Sequence, residues 1–109
     1  MATTYKVLGQ VNPSATTATT LYSCPSSTQT VISTITICNQ AASSGTYRIS
    51  VRQDGAATDT KQYLVYDATI QANTTAAYTL GLTIDASDIV TVYASSASMS
   101  FNAFGSEIA

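Results

Sequence analysis

Few residues of this chain are of the types that carry out acid–base, nucleophilic or metal chemistry. The sequence contains no histidine, which removes the most common general base and metal ligand. Glu107 is the single glutamate, and it lies close to the C-terminus. The sequence has no glycine-rich phosphate loop, no nucleophile elbow and no Cys-x-x-Cys pair. It therefore predicts no enzymatic activity, no catalytic residues and no cofactor.

Two pairs of aspartates have a spacing that suits calcium. Asp85 and Asp88 stand three residues apart in one predicted corner, and Asp54 and Asp59 share one predicted loop. Carboxylate oxygens are calcium ligands, but aspartates in turns more often accept hydrogen bonds from nearby backbone. Asp88 directly precedes a predicted strand, where such a local bond is expected. We therefore predict turn-stabilising aspartates and no metal site.

The two cysteines are candidates for a disulfide or for free thiols. Cys24 lies in a predicted turn, and Cys38 ends a predicted strand. If segments 21–24 and 31–38 form one hairpin, the cysteines stand at its opposite ends, farther apart than a disulfide can span. Free, half-buried thiols are the favoured interpretation, while an intrachain bond and intermolecular pairing stay open. Free thiols suit a protein that folds in a cytoplasm.

Tyrosine is the remaining residue type that can build a binding surface, and the chain has seven. Five of them fall inside predicted strands: Tyr47, Tyr63, Tyr66, Tyr78 and Tyr93. Tyrosine rings can stack on sugars, so these residues could form a glycan-binding platform. At alternate strand positions, however, tyrosine usually packs in the core or at its rim, and tryptophan is absent. Packing is the main expectation, and glycan binding is the alternative.

Charged side chains are scarce among the 109 residues. Four Lys or Arg and six Asp or Glu give a formal net charge of −2 at pH 7. The four cations, Lys6, Arg48, Arg52 and Lys61, are scattered along the sequence, whereas phosphate binding needs them clustered. The sequence therefore predicts no nucleic-acid partner. So few charges also protect a surface poorly against association, which favours a protein that sits in an assembly.

Membrane and export segments are not expected either. No apolar run approaches the length of a membrane span. The opening residues, MATTYKV, lack the apolar region of a secretory signal. The glycosylation acceptor motif at 73–75 is therefore expected to be an ordinary loop.

The strongest structural signal is the segment 30–39, TVISTITICN. β-Branched residues fill almost every position, and the apolar spacing of two is that of a half-buried strand. The alternation assigns Val31, Ser33, Ile35 and Ile37 to one face. It assigns Ile32, Thr34, Thr36 and Cys38 to the other.

The same pattern recurs along the chain. Strands are predicted at 4–11, 46–52, 61–66, 77–84, 89–94 and 97–104, with a weak strand or extended arm at 15–20. Segment 46–52 alternates without error, with Tyr47, Ile49 and Val51 inward. Turn signals at 40–45, 53–55 and 85–88 separate the strands, and segment 67–73 is predicted to be a connection.

About seven or eight strands at this spacing predict an all-β fold, an antiparallel β-sandwich of the jelly-roll or immunoglobulin-like kind. We expect a single domain, in which residues 1–20 form a first strand or extended arm and residues 21–109 form the sandwich. The first and last strands are expected to pair or lie near each other.

Several segments together carry a resemblance to a known group of proteins. They are 5–10 (YKVLGQ), 47–52 (YRISVR), 63–67 (YLVYD), 80–84 (LGLTI), 88–95 (DIVTVYAS) and 101–108 (FNAFGSEI). In this order they resemble small structural proteins encoded by tailed bacteriophages, including phages of aquatic bacteria. The likeness covers nearly the whole chain, and its motifs mark strands and corners, not a catalytic site.

The resemblance implies a non-enzymatic virion protein that is made in the cytoplasm of a bacterial host. It leaves open a capsid decoration or cement protein and a part of the neck, tail or baseplate. The expected partners are other virion proteins, bound in several copies, and the protein itself is expected to form a homo-oligomer. The alternative is an adhesin-like module that binds a host glycan through its loops and tyrosines.

Overall fold

The alternating apolar and hydroxyl side chains form nine β-strands in the computed structural model, which describes residues 2–109. The strands are β1 (Thr3–Val11), β2 (Thr19–Ser23), β3 (Gln29–Asn39), β4 (Gly45–Arg52), β5 (Tyr63–Ile70), β6 (Thr75–Tyr78), β7 (Leu82–Ile84), β8 (Ile89–Ala94) and β9 (Met99–Ile108). Two short 3-10 turns, Gln53–Gly55 and Thr60–Gln62, lie between β4 and β5. Within residues 2–109 no helix has the length and apolar character needed to cross a bilayer.

The strands form two antiparallel sheets that pack on each other. Sheet A has the order β1-β9-β3-β6, with β7 also paired to β3, and sheet B has the order β2-β8-β4-β5. Because β6 and β7 both pair with β3, they act as one interrupted strand, which reduces the fold to eight strands in two four-stranded sheets. This order is that of a jelly roll, the double Greek-key sandwich. The predicted β-sandwich is confirmed, and of the two predicted kinds it is the jelly roll.

The first and last strands pair along almost their whole length, as predicted. Thr3 lies opposite Ile108, and Val11 lies opposite Phe101. Beyond the ladder, Ala2 and Ala109 exchange backbone hydrogen bonds of 2.8 and 2.9 Å. The segment 3–11 of the predicted arm 1–20 is therefore hydrogen-bonded into sheet A as its edge strand. Met1 lies outside the described residues.

Segments 21–24 and 31–38 do not form the hairpin that was considered for the two cysteines. β2 pairs with β8 in sheet B, whereas β3 lies in sheet A between β9 and the interrupted strand β6/β7. The turn at 24–28 therefore crosses from sheet B to sheet A. Leu21 and Tyr22 on β2 are buried in the core on the sheet-B side, and β3 lies on the sheet-A side. Both cysteines are free, as favoured: Cys24 is buried and Cys38 is half-buried.

A bulge in β3 changes which of its side chains face the core, so the predicted faces of this strand are wrong. Ile32, Ile35 and Ile37 are all buried, whereas Val31 is only half-buried. The register of β3 against β9 shifts between Ile32 and Thr34, so the alternation restarts one residue later. Ser33 is the extra residue.

Two other predicted elements have different bounds. Segment 77–84 is not one strand, because Gly81 adopts a positive φ of 64° and separates β6 from β7. Leu80, which simple alternation puts on one face with Tyr78, Leu82 and Ile84, lies in this break and is exposed. β5 continues through the predicted connection 67–73 as far as Ile70, whose side chain is buried.

The core lies between the two sheets and is centred on β9. Met99, Phe101 and Ala103 are fully buried, as the alternation of this segment predicts. Tyr47 and Ile49 on β4 pack against them from sheet B, also as predicted. Phe104, the next residue of β9, lies on the outer side of sheet A, opposite Val7.

One buried polar side chain ties three backbone segments together. The Asn39 amide is fully buried at the end of β3. Its Nδ2 donates to the carbonyls of Ser43 and Gln71 at 3.0 and 3.1 Å, and its Oδ1 accepts from the Ala41 N–H at 3.1 Å. Asn39 therefore satisfies backbone groups that a loop would otherwise bury unpaired.

A second polar network joins the two sheets near the chain ends. The Tyr22 hydroxyl on β2 donates to Glu107 on β9 at 2.5 Å and lies 2.8 Å from the Thr30 hydroxyl on β3. Lys6 on β1 pairs with the other oxygen of Glu107 at 3.2 Å. Burial raises the pKa of Tyr22, and the hydrogen bond from Tyr22 lowers the pKa of Glu107. The two sheets are therefore linked by a charged hydrogen bond as well as by packing.

Candidate functional site

Four side chains from three strands form an aromatic cluster on the outer face of sheet B. β4 contributes Arg48, β5 contributes Tyr63 and Tyr66, and β8 contributes Tyr93. Arg48 lies directly opposite Tyr93 in the β4–β8 ladder, so both point to the same side of the sheet. Arg48 was predicted to point outward, and the structure confirms it.

Two irregularities in β5 bring its tyrosines to this face. The pairing of β4 with β5 shifts between Ile49 and Ser50, and again between Tyr47 and Ile49. As a result Tyr63 lies opposite Ser50, a buried residue that lines a cavity on the outer side of sheet B, while Val65 packs against the core. The simple alternation, which puts Tyr63 and Val65 on one face, is therefore wrong.

The guanidinium of Arg48 is held between two tyrosine rings. Its central carbon lies 4.4 Å from the ring centroid of Tyr66 and 4.1 Å from that of Tyr93. Asp67 accepts hydrogen bonds from the guanidinium at 2.6 and 3.3 Å, and this raises the pKa of Arg48. Tyr63 packs edge-on against Tyr66 with a centroid distance of 4.9 Å. The Tyr66 ring is thus held by contacts with both Arg48 and Tyr63.

Two neighbouring cavities adjoin this cluster, and we call the pair the tyrosine groove. Its first part, about 540 Å³, is lined by Thr58, Asp59, Thr60, Tyr63 and Tyr66. Its second part, about 250 Å³, shares Thr58 and Tyr63 with the first and continues past Ser50, Thr91 and Tyr93. Tyr66 is 58% exposed at the mouth of the groove. The groove combines aromatic surface with a rim of hydroxyl groups and one carboxylate.

Tyr47 and Tyr78 do not belong to this groove. The Tyr47 ring packs edge-on against Tyr78 and Phe101 in the core. The two tyrosine hydroxyls lie 2.5 Å apart, and burial raises the pKa of Tyr47. For these two residues the predicted structural role is confirmed.

A second surface of a different character covers the outer face of sheet A, and we call it the sheet-A face. Tyr5 and Val7 on β1 are 83% and 48% exposed, and Phe104 on β9 lies opposite Val7. In the described chain, the strands of sheet A carry only two charged side chains, Lys6 and Glu107, and these pair with each other toward sheet B. The sheet-A face therefore combines exposed apolar groups with an absence of charge.

The aspartates act in turns, as predicted. The Asp88 carboxylate accepts from the backbone N–H groups of Asp54 and Asp85 at 2.8 and 2.9 Å, which joins the two turns. Asp59 accepts from the Thr60 hydroxyl at 3.2 Å at the start of its 3-10 turn. Among residues 2–109, no three side chains of ligand type gather in a way that could hold a metal ion.

The chain was also compared with known proteins. No protein-family model matches it, and a search of curated proteins found no match.

Sequence reasoning singled out the tyrosines but missed two features that define the surfaces. Asp67 was placed in a connection, so its bond to Arg48 was not anticipated. Segment 4–11 was predicted as a strand, but Tyr5 and Val7 were not identified as an exposed surface. A signal was available for the second feature only: Tyr5 and Val7 are two residues apart on one predicted strand, and so share one face.

Proposed function

We propose that this protein is a non-enzymatic structural component of a bacteriophage virion, which attaches to a larger assembly in several copies. The observation that carries the proposal is the sheet-A face. It offers Tyr5, Val7 and Phe104 to a partner, with no charged group to be stripped of water. Which virion proteins it binds decides whether it is a capsid decoration or cement protein or a part of the neck, tail or baseplate.

The energetics of the sheet-A face suit docking. Fully burying an exposed apolar side chain of this size contributes about 1.5 to 3 kcal/mol. β1 is also the edge strand of sheet A, and an open edge can accept a further strand from a partner through backbone hydrogen bonds. Apolar contact and strand pairing together provide affinity without ion pairs, in a chain that has few charges.

The fold is compatible with this role. Jelly rolls occur in viral capsid proteins and in lectins, so the topology supports an assembly role without specifying it. The resemblance of the strand segments to structural proteins of tailed phages gives the more specific support.

Immunogold electron microscopy of purified phage particles tests the proposal, with antibody raised against this chain. Label on the capsid would identify a decoration or cement protein. Label at the neck, tail or baseplate would identify an adaptor or fibre-associated part. An absence of label, with the epitope shown to be accessible on particles, would contradict the proposal.

Recognition of a host glycan is the second candidate function. The tyrosine groove favours it, because aromatic rings can stack on a sugar while neighbouring hydroxyl and carboxylate groups hydrogen-bond to it. The groove and the sheet-A face lie on opposite sides of the sandwich, so one function does not exclude the other.

A further inference from the structure

We propose that the tyrosine groove is a binding site for a neutral saccharide chain. The inference rests on the second candidate function and is independent of the assembly role. Its ligand would stack a sugar ring on Tyr66 and extend past Tyr63 toward Tyr93.

The aromatic part of the site is already ordered without a ligand. Tyr66 contacts Tyr63 on one side and Arg48 on the other, and Arg48 is fixed by Asp67. A ligand that stacks on Tyr66 therefore pays little conformational entropy for ordering the ring. Arg48 and Asp67 act here as positioning residues, because the guanidinium faces are covered by tyrosine rings and its hydrogen bonds go to the carboxylate.

The apolar and polar groups that line the groove suit a sugar. A pyranose ring presents apolar C–H groups on its faces and hydroxyl groups around its edge. Tyr63 and Tyr66 supply the apolar surface, while Thr58, Asp59 and Thr60 stand beside them in the first part of the groove. The second part is lined by Tyr93 and by the buried residues Ser50 and Thr91, so a longer sugar chain would continue there mainly along Tyr93.

The charges at the site favour a neutral ligand. The cation of the cluster, Arg48, is paired with Asp67. Asp59 is the other charged residue that lines the groove, and it would repel phosphate or carboxylate groups. Acidic glycans are therefore poor ligands for this site.

A proline-rich peptide is another ligand that can stack on clustered tyrosines. Such a peptide offers mainly carbonyl oxygens and lacks the N–H groups of its prolines. The Asp59 carboxylate can only accept hydrogen bonds, so it suits the hydroxyl donors of a sugar better. A saccharide therefore fits the groove better, and a proline-rich peptide serves as the competing ligand in the test.

The test is saturation-transfer NMR and titration calorimetry on the full chain. The probes are neutral hexasaccharides built from glucose, mannose, galactose or N-acetylglucosamine, with decaproline as the competing ligand. Tyr66→Ala should weaken binding about tenfold, since stacking and its area are lost, whereas Tyr66→Phe should keep most of the affinity. Tyr5→Ala is the matched control, because Tyr5 is also exposed but lies on the opposite sheet.

The expected result is binding of at least one hexasaccharide that is weakened by Tyr66→Ala and by Asp59→Asn and unchanged by Tyr5→Ala. Thermal unfolding of each variant shows that the fold is intact. Three results would overturn the inference: no hexasaccharide binds at millimolar concentration, binding is insensitive to Tyr66→Ala, or decaproline binds in place of the sugars. None of these outcomes bears on particle labelling, so the failure of this inference and the failure of the assembly role are distinguishable.

Discussion

Val7 lies directly opposite Phe104 in the β1–β9 ladder, and both side chains point away from the core. Val7 is 48% exposed and Phe104 is 36% exposed, although a sandwich core is available on the other side of the same sheet. Tyr5, two residues before Val7, extends the same apolar row. An apolar row on an outer sheet face next to an open strand edge is a typical place for association between subunits.

Replacing Val7 by a charged residue should therefore prevent self-association without unfolding the protein. We expect Val7→Glu to abolish the concentration-dependent increase in mass that sedimentation velocity should show for the unmodified chain. The melting temperature should stay nearly the same, because substitutions at such exposed positions cost about 0.5 kcal/mol or less.

Leu64→Glu is the matched control for this experiment. Leu64 is 44% exposed, similar to Val7, but it lies on β5 in sheet B. It should leave self-association unchanged. Equal loss of association in both variants would mean that added charge, and not the sheet-A face, is responsible.

Removal of the buried Asn39 amide should destabilise the fold strongly. Asn39→Ala leaves the Ala41 N–H and the carbonyls of Ser43 and Gln71 without their partner, which we expect to lower the free energy of unfolding by about 2 to 3 kcal/mol. Urea unfolding measures the loss. Asn102→Ala is the control, because within residues 2–109 the Asn102 side chain bonds only to the exposed amide of Gln10. A loss of stability as large in this variant would refute the role assigned to Asn39.

Glu107 should make stability depend on pH in the acidic range. The hydrogen bond from Tyr22 lowers the pKa of this carboxyl below its usual value of 4.5 in the folded chain. The ionised carboxylate of Glu107 is the form that stabilises the fold. This contribution is therefore present above pH 4.5 and is lost as the pH falls through the lower folded-state pKa.

The variant Glu107→Gln isolates this contribution. It should be less stable than the unmodified chain at neutral pH, and the difference should shrink at about pH 3. Urea midpoints at both pH values give the comparison. A stability difference that stays constant with pH would show that the ionised form of Glu107 contributes nothing.

The Arg48–Asp67 pair should be energetically coupled. Arg48→Lys keeps the charge but loses the planar group that lies between Tyr66 and Tyr93, and Asp67→Asn removes the carboxylate. We expect each change to lower the free energy of unfolding by about 1 kcal/mol, and the double variant to lower it by less than the sum of the two. Exactly additive costs in chemical denaturation would contradict the coupling.

The parts of the fold that were predicted correctly are those in which alternation runs unbroken. Met99, Phe101 and Ala103 form a regular inward row, and so do Tyr47 and Ile49. Apolar residues with a spacing of two identify a strand and its buried face directly, since side chains alternate across the pleat.

The parts that were missed depend on partners far along the chain. The extra residue at Ser33 is set by the register with β9, and the shift that turns Tyr63 outward is set by β4. Segments 21–24 and 31–38 look like a hairpin locally, yet they belong to different sheets. The tyrosine groove could not be predicted as a site, because it needs these bulges to bring Tyr63 and Tyr66 beside Arg48.

The copy number of this chain on gradient-purified phage particles, measured by quantitative mass spectrometry, tests the central claim most directly. Particles should be produced with the unmodified chain, with Val7→Glu or with Leu64→Glu. We predict several copies per particle for the unmodified chain and for Leu64→Glu, and a large loss for Val7→Glu. Absence of the unmodified chain from particles, or equal incorporation of all three forms, would contradict attachment through the sheet-A face.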